Sequence, residues 1–199
     1  MDGQFLPAKP QEMLAAGNYK TDVKLLASTV EDEGSFIAAL SAPQFRPISP
    51  EPLSLEQAKQ FLFQFASHAG KREVDEKLLV DYYFSGLNQN YHSQDTFRRR
   101  VGIAMGDAIL GCPTIEFAKQ IYNHSKTATA FQWFYKAKLG DPVKLACHAP
   151  YAGTCHTDDL FPAFGIPFRF PEKHTNRERD ISNEVNLKDQ KNMCSNTKD

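Results

Sequence analysis

The apolar positions along the chain change period several times, and each change marks an element. Val23 to Val30 is a mainly apolar run with the length of a strand buried on both faces of a parallel sheet. Residues 41–53 contain Pro43, Pro47, Pro50 and Pro52 and are predicted to form an irregular connection. Helical spacing begins at Ser54. There Ser54-Leu55-Glu56-Gln57 has the form of a capping box, and Ala58, Phe61, Leu62 and Phe65 follow at intervals of three and four, with Gly70 as the expected stop. Further helices are predicted over about 74–84 and 95–110, and a fourth after Cys112-Pro113, with the proline near its first turn and Phe117, Ile121 and Tyr122 on one side. Between 127 and 137, Thr129, Phe131, Trp133, Phe134 and Tyr135 make an aromatic strand. From Glu172 to Asp199 the chain turns strongly polar, with Ile181, Val185, Leu187 and Met193 as its larger apolar residues, and is expected to be loose or part-helical. Strands and helices in this order make an α/β pattern.

Composition narrows the class without selecting a function. Hydrophobic residues make up 41% of the chain and charged residues 24%, with a formal net charge of −1, so neither a nucleic acid nor a membrane surface is an expected partner. The opening Met1-Asp2-Gly3-Gln4-Phe5-Leu6-Pro7 has neither the basic n-region nor the apolar h-region of a signal peptide. No membrane-spanning segment is expected either, since no run of about 18 apolar residues is evident.

Two segments carry candidate chemistry. Glu31-Asp32-Glu33-Gly34-Ser35-Phe36 follows the first strand, so its carboxylates fall where functional groups of open α/β sheets gather, outside the carboxyl end of a strand. Gly153-Thr154-Cys155-His156-Thr157-Asp158-Asp159-Leu160 follows the aromatic strand. A serine hydroxyl is a weak nucleophile near neutral pH. It becomes effective when a neutral imidazole takes its proton and a carboxylate on the other ring nitrogen fixes the tautomer and stabilises the imidazolium. The residues alone leave Glu31, Asp32 and Glu33 open as the acid. No Gly-x-Ser-x-Gly occurs, nor a His-Gly-Gly-Gly-like stretch that could donate an oxyanion hole. His68, His92, His124, His148 and His174 are assigned structural or solvated roles. A metal module on Cys147-His148 and Cys155-His156 is disfavoured, because adjacent residues on an extended chain point to opposite faces and the spacing is unlike that of zinc sites. No metal or cofactor is expected.

Several islands occur in one order: Asp2-Gly3-x-Phe5-Leu6-Pro7 with Pro10 and Leu14; Glu33-Gly34-Ser35-Phe36; Asp107 ahead of Cys112-Pro113; Gln132-Trp133-Phe134-Tyr135; and Gly153-x-x-His156-x-x-Asp159-Leu160. Singly, an Asp-Glu-Gly is ordinarily a solvated loop and a lone histidine a structural one. Together, over about residues 3–183, they resemble the type-B carboxylesterase and cholinesterase family. The resemblance implies the C-terminal portion of an α/β-hydrolase fold, edge strands of a parallel sheet plus helices, over residues 1–171 and incomplete as a domain, followed by a polar tail at 172–199. Met1 is then expected to be an internal start.

The family triad runs in the order Ser…Glu/Asp…His. The resemblance makes Glu33 its acid, because Glu33 directly precedes Gly34-Ser35, and His156 its histidine. It further implies a small-molecule carboxylic ester as substrate of the parent protein, with Phe36 and Ile37 beside it. Phe36 matches an aromatic lining the cholinesterase gorge. Ile37 stands where cholinesterases have a second aromatic narrowing the acyl pocket, and Asp158 where they have a tyrosine near the quaternary ammonium. Recognition of choline needs such aromatic faces, so the expected activity is that of a general carboxylesterase. The parent family is secreted. The chain's four cysteines, Cys112, Cys147, Cys155 and Cys194, allow three pairings. In the family the cysteine of the Cys-Pro element pairs with one nearer the C-terminus; only Cys194 could stand there and its surroundings do not match, so Cys112 is expected to be unpaired. Asn123-His124-Ser125 is an N-glycosylation sequon. The competing function is a non-catalytic cholinesterase-like adhesion or partner-binding module, against which the presence of both Glu33 and His156 counts.

Overall fold

The two apolar runs pair with each other. In a computed structural model that describes residues 3–20, 22–69, 75–138 and 145–194, β1 (Lys24–Val30) and β2 (Thr129–Tyr135) lie parallel, in register from Lys24 opposite Thr129 to Val30 opposite Tyr135. Parallel neighbours need a long crossover, and helices supply it. After α1 (Pro10–Ala15) and β1 come α2 (Ser35–Ser41), α3 (Leu55–Ala69), α4 (Glu76–Tyr83), α5 (Gln94–Gly106) and α6 (Cys112–Asn123), then β2, α7 (Leu160–Ala163), α8 (Ile166–Arg169) and α9 (Asn176–Cys194). Among the described residues β1 has β2 as its one strand neighbour.

Local chemistry explains where the helices start. At α3 the capping box forms as spelled: Ser54 Oγ accepts the Gln57 N–H at 3.1 Å and Gln57 Oε1 accepts the Ser54 N–H at 2.8 Å. Asp75 caps α4 through the Leu78 N–H, and Ser93 caps α5 through the Thr96 N–H. The expected stop at Gly70 lies outside the described residues. Inward faces of α2, α3, α4 and α5 meet in one core containing Ala38, Leu62, Val80, Phe97 and Val101, to which Phe45 and Tyr151 are added from the connections. Burying each large side chain there stabilises the fold by about 1.5–3 kcal/mol.

The predicted break between the third and fourth helices is absent. Instead α5 passes into α6 through a π-helical turn over Asp107–Gly111. A proline inside a helix removes one hydrogen bond and clashes with the carbonyl four residues back. A widened turn just before Pro113 accommodates both effects without ending the helix. The resulting stretch Gln94–Asn123 is, among the described residues, one helix that is long and apolar enough, by length and composition alone, to cross a membrane. Its inward face, however, carries Phe97, Val101, Ala104 and Met105 into the core just described, as the central helix of a globular domain does. The segment expected to be loose or part-helical is helical over Asn176–Cys194, as α9. It opens on a second capping box between Thr175 and Glu178 and docks through Ser182 Oγ on the Pro162 carbonyl at 2.7 Å.

α2 and α5 touch backbone to backbone at Gly34, Gly102 and Gly106. A methyl group on Gly34 would lie 2.0 Å from the Gly102 carbonyl oxygen and 2.3 Å from the Gly106 nitrogen. Those are helix backbone atoms, which cannot swing aside. Gly34→Ala is therefore expected to destabilise the protein by at least the upper part of the about 1–3 kcal/mol typical of overpacking, measured as the denaturant midpoint; an unchanged midpoint would show that the two helices do not approach this closely.

Two buried phenols, Tyr135 and Tyr151, and the part-buried Tyr83 favour the fold in their neutral form. Burial raises Tyr83 well above its ordinary value, helped by its bond to Asp107. Burial likewise pushes Tyr135 up to about 12, reinforced by the charges of Asp158, Asp159 and Glu178, and Tyr151 up to about 12. The fold favours the neutral phenol, so their contribution is intact below the unfolded value of about 10 and is lost as pH rises from there through about 12. Unfolding free energy measured against pH should fall steeply in that window; a flat profile would contradict the burial of these side chains.

Candidate active site

The carboxyl end of β1 leads directly into the acid loop, while the histidine loop lies further along the chain from the end of β2, beyond the short 3-10 turn Leu145–His148. The Glu31 N–H donates to the Tyr135 carbonyl at 3.0 Å, continuing the ladder one residue past β1. By the alternation of a parallel ladder, the Val30 N–H then faces the other edge, where Glu33 Oε1 accepts it at 3.0 Å. This bond leaves Oε2 for a second partner. His156 Nδ1 lies 2.6 Å from it, across a sequence separation of 123 residues. Glu33 is buried, and the His156 side chain keeps 35% of its surface open. A carboxylate at this distance favours the tautomer with the proton on Nδ1 and turns Nε2 away from the acid. The Phe36 ring, on the first turn of α2, is tilted against the imidazole with centroids 6.2 Å apart. Ile37, next on that helix, packs against the core cluster instead. A cavity of about 300 Å³ lies beside the acid, lined by Val30, Glu33, Asp107 and Phe134 among others.

Asp32, one of the three acids that the sequence left open, organises this arrangement. It is fully buried. Arg99 of α5 meets it with two parallel bonds, Nε to Oδ1 at 2.7 Å and Nη2 to Oδ2 at 3.0 Å. Oδ2 also accepts the Thr154 N–H at 2.9 Å, and the Asp32 N–H donates to the Thr154 carbonyl at 3.0 Å. The acid loop is thereby held to the histidine loop two residues before His156. The close approach requires glycine at 153, where φ is +60° and a Cβ would lie 1.9 Å from Asp32 Oδ2. Glu31 stays at the rim, 3.2 Å from Arg99 Nη2 and 3.8 Å from Lys136 Nζ. Arg99 is held strongly protonated, chiefly by its bond to Asp32.

Beyond His156 the loop closes on itself. The Cys155 N–H donates to Asp158 Oδ2 at 2.8 Å, and the Asp158 N–H donates to the Cys155 carbonyl at 2.9 Å. Asp158 therefore shapes the turn. Cys155 is joined to Cys147 by a disulfide, which occupies both sulfurs of the disfavoured metal module, while Cys112 is exposed and free. His68, His92 and His124 contact local backbone carbonyls.

The family description of the carboxylesterases matches residues 1–187. The chain belongs to the carboxylesterase family. Acetylcholinesterase of Bungarus fasciatus is 23% identical over 184 residues, which cover 92% of this chain and 28% of that protein. Cholinesterase 1 of Branchiostoma lanceolatum is 29% identical over 134 residues, 66% of this chain and 36% of the relative. Carboxylesterase 1F of Mus musculus is 26% identical over 187 residues, 94% and 30% respectively. The chain spans about a third of the length of these relatives. The carboxylesterase fold is the α/β-hydrolase, which the parallel strands and their helical crossover fit.

The Asp32–Arg99 pair offers a direct stability test. Removing Arg99 would leave a fully buried carboxylate without its counter-charge, which costs about 3–5 kcal/mol in buried pairs, with the lower end expected because the Arg99 side chain is 43% exposed. Arg99→Met should show that loss in denaturant unfolding, and adding Asp32→Asn should restore part of it. If Arg99→Met costs nothing measurable, Asp32 is not the clamp.

Proposed function

We propose that this carboxylesterase-family chain is the C-terminal part of a serine carboxylic ester hydrolase domain and carries the acid and the histidine of its triad. The 2.6 Å contact between Glu33 Oε2 and His156 Nδ1 carries the reading. In support, the chain spans about a third of its relatives and has no Gly-x-Ser-x-Gly. The nucleophile and the oxyanion donors therefore come from chain outside this sequence. In the assembled protein, His156 Nε2 takes the serine proton as the oxygen attacks the ester carbonyl carbon, and returns it to the departing alkoxide. Glu33 remains ionised throughout and stabilises the imidazolium. The same exchange with water then frees the acid. Phe36, in ring contact with His156, borders the ester, while Ile37 supports it from the core side of α2; the departures from the cholinesterase pattern favour general carboxylic esters. The disulfide is consistent with secretion.

The purified chain is expected to show no saturable hydrolysis of a p-nitrophenyl ester and no organophosphate label, since one missing oxyanion donor alone is worth about 10²–10³ in rate. It should nevertheless show a low-field imidazole N–H proton resonance from His156 that Glu33→Gln abolishes. Absence of that resonance from the folded protein would remove the pair, leaving the partner-binding module as the better account. Saturable turnover lost in His156→Ala, together with stoichiometric label on one of the chain's own serines, would overturn the shared-domain reading.

A further inference from the structure

The histidine loop contains one covalent bond that the proton-transfer scheme does not use. Cys147 and Cys155 are eight residues apart in sequence, with Cα atoms 5.8 Å apart. Cys155 directly precedes His156, is fully buried and forms a parallel bridge with Asp32. Cys147 is buried in the short 3-10 turn Leu145–His148, which packs on α2, the helix that begins two residues after Glu33. Between the two cysteines, Ala149, Tyr151 and Ala152 belong to the core, and the Tyr151 phenol donates to the Phe45 carbonyl. One sulfur is thus referred to the helix that follows the acid, and the other to the residue beside the base. Thr157, on the far side of His156, has φ +78°, a conformation that a β-branched residue adopts only where its surroundings impose it.

We propose that the Cys147–Cys155 disulfide is a positioning element of the Glu33–His156 pair, so that the contact between acid and base depends on the redox state of the loop. The proposal rests on reading that pair as the acid and base of an esterase. Without the S–S bond the Cys155 backbone keeps its bridge to Asp32 and its hydrogen bonds with Asp158. A hydrogen bond of 2.6 Å tolerates little displacement, and about 1 Å of misplacement in a catalytic group can cost on the order of 10² in rate. The reductant is a small dithiol. One of its thiolates attacks a protein sulfur, the second displaces the mixed disulfide, and the reagent leaves as a cyclic disulfide while the protein gains two electrons and two protons as the thiols of Cys147 and Cys155. Because both sulfurs are buried, reaction proceeds through openings of the histidine loop.

The test follows the low-field His156 N–H resonance in the full chain before and after dithiothreitol, with thiol release counted by alkylation and mass spectrometry. Reduction should abolish the resonance while circular dichroism and cooperative thermal unfolding persist, and reoxidation should restore it. The Cys147→Ala/Cys155→Ala variant should lack it without any reductant. Persistence of the resonance in the reduced protein or in that variant overturns the proposal. So does global unfolding of both, since the bond would then staple the fold rather than place the histidine. A resonance missing from the oxidised protein would overturn the acid–base reading itself, and the proposal with it.

Discussion

A carboxylate removed from water must be matched by donors on every side, and Asp32 recruits its donors from segments far apart in sequence. Its partners come from α5 through Arg99 and from the histidine loop through Thr154, at separations of 67 and 122 residues. Satisfying one charge therefore fixes three segments relative to one another. Glu33, the next residue, inherits the geometry, and His156 is placed two residues beyond the bond to Thr154. The acid–base contact is downstream of that constraint: Oε2 meets Nδ1 because the neighbouring acid has already been neutralised in place. An unpaired buried ion of this kind costs several kcal/mol, so the arrangement is closer to all-or-none than to a set of independent bonds.

The three consecutive arginines show how a helix divides such work. Successive residues on α5 point about 100° apart, so Arg98 turns inward and Arg99 toward the acid loop. Arg98 is buried. Its guanidinium donates to the carbonyls of Gln44 and Glu51 at 2.7 and 2.8 Å, tying down the proline-rich connection over the core. The same turn of helix carries Gly102, against which α2 rests. One helix therefore supplies the ionic partner of the site and the glycine contact that sets its depth, which makes α5 the element to which both loops are referred.

Features carried by local pattern were legible in the sequence. β1, the aromatic β2 and the capping box at Ser54 all depend on neighbours within a few residues, and the structure has them within a residue or two of the predicted bounds. The juncture at Pro113 was read as a helix start because proline commonly opens helices; that a π-helical turn could carry the helix past it has no signature in the pattern. Among the three acids, chemistry at the sequence level could not choose, and the selection of Glu33 came from family likeness. The part played by Asp32 was hidden for the same reason. A buried and a solvated aspartate are spelled alike, and its partner Arg99 sits in a basic run that ordinarily faces water. The bond between Cys147 and Cys155 was likewise not legible, because a count of four cysteines does not say which two meet; these two lie eight residues apart in one segment, and Cys112 stays free.

The absent side chain at position 153 has a historical consequence. Since a Cβ there would occupy the space of the Asp32 carboxylate, positions 32, 99 and 153 cannot drift independently. A lineage that replaced the glycine would first have to shorten or lose the aspartate, and then be left with an arginine that has no charge to meet. Each single step passes through a less stable protein, although the fully exchanged set need not be one. Relatives should therefore differ at these three positions together or not at all, as alternative solutions separated by a valley rather than as a graded series.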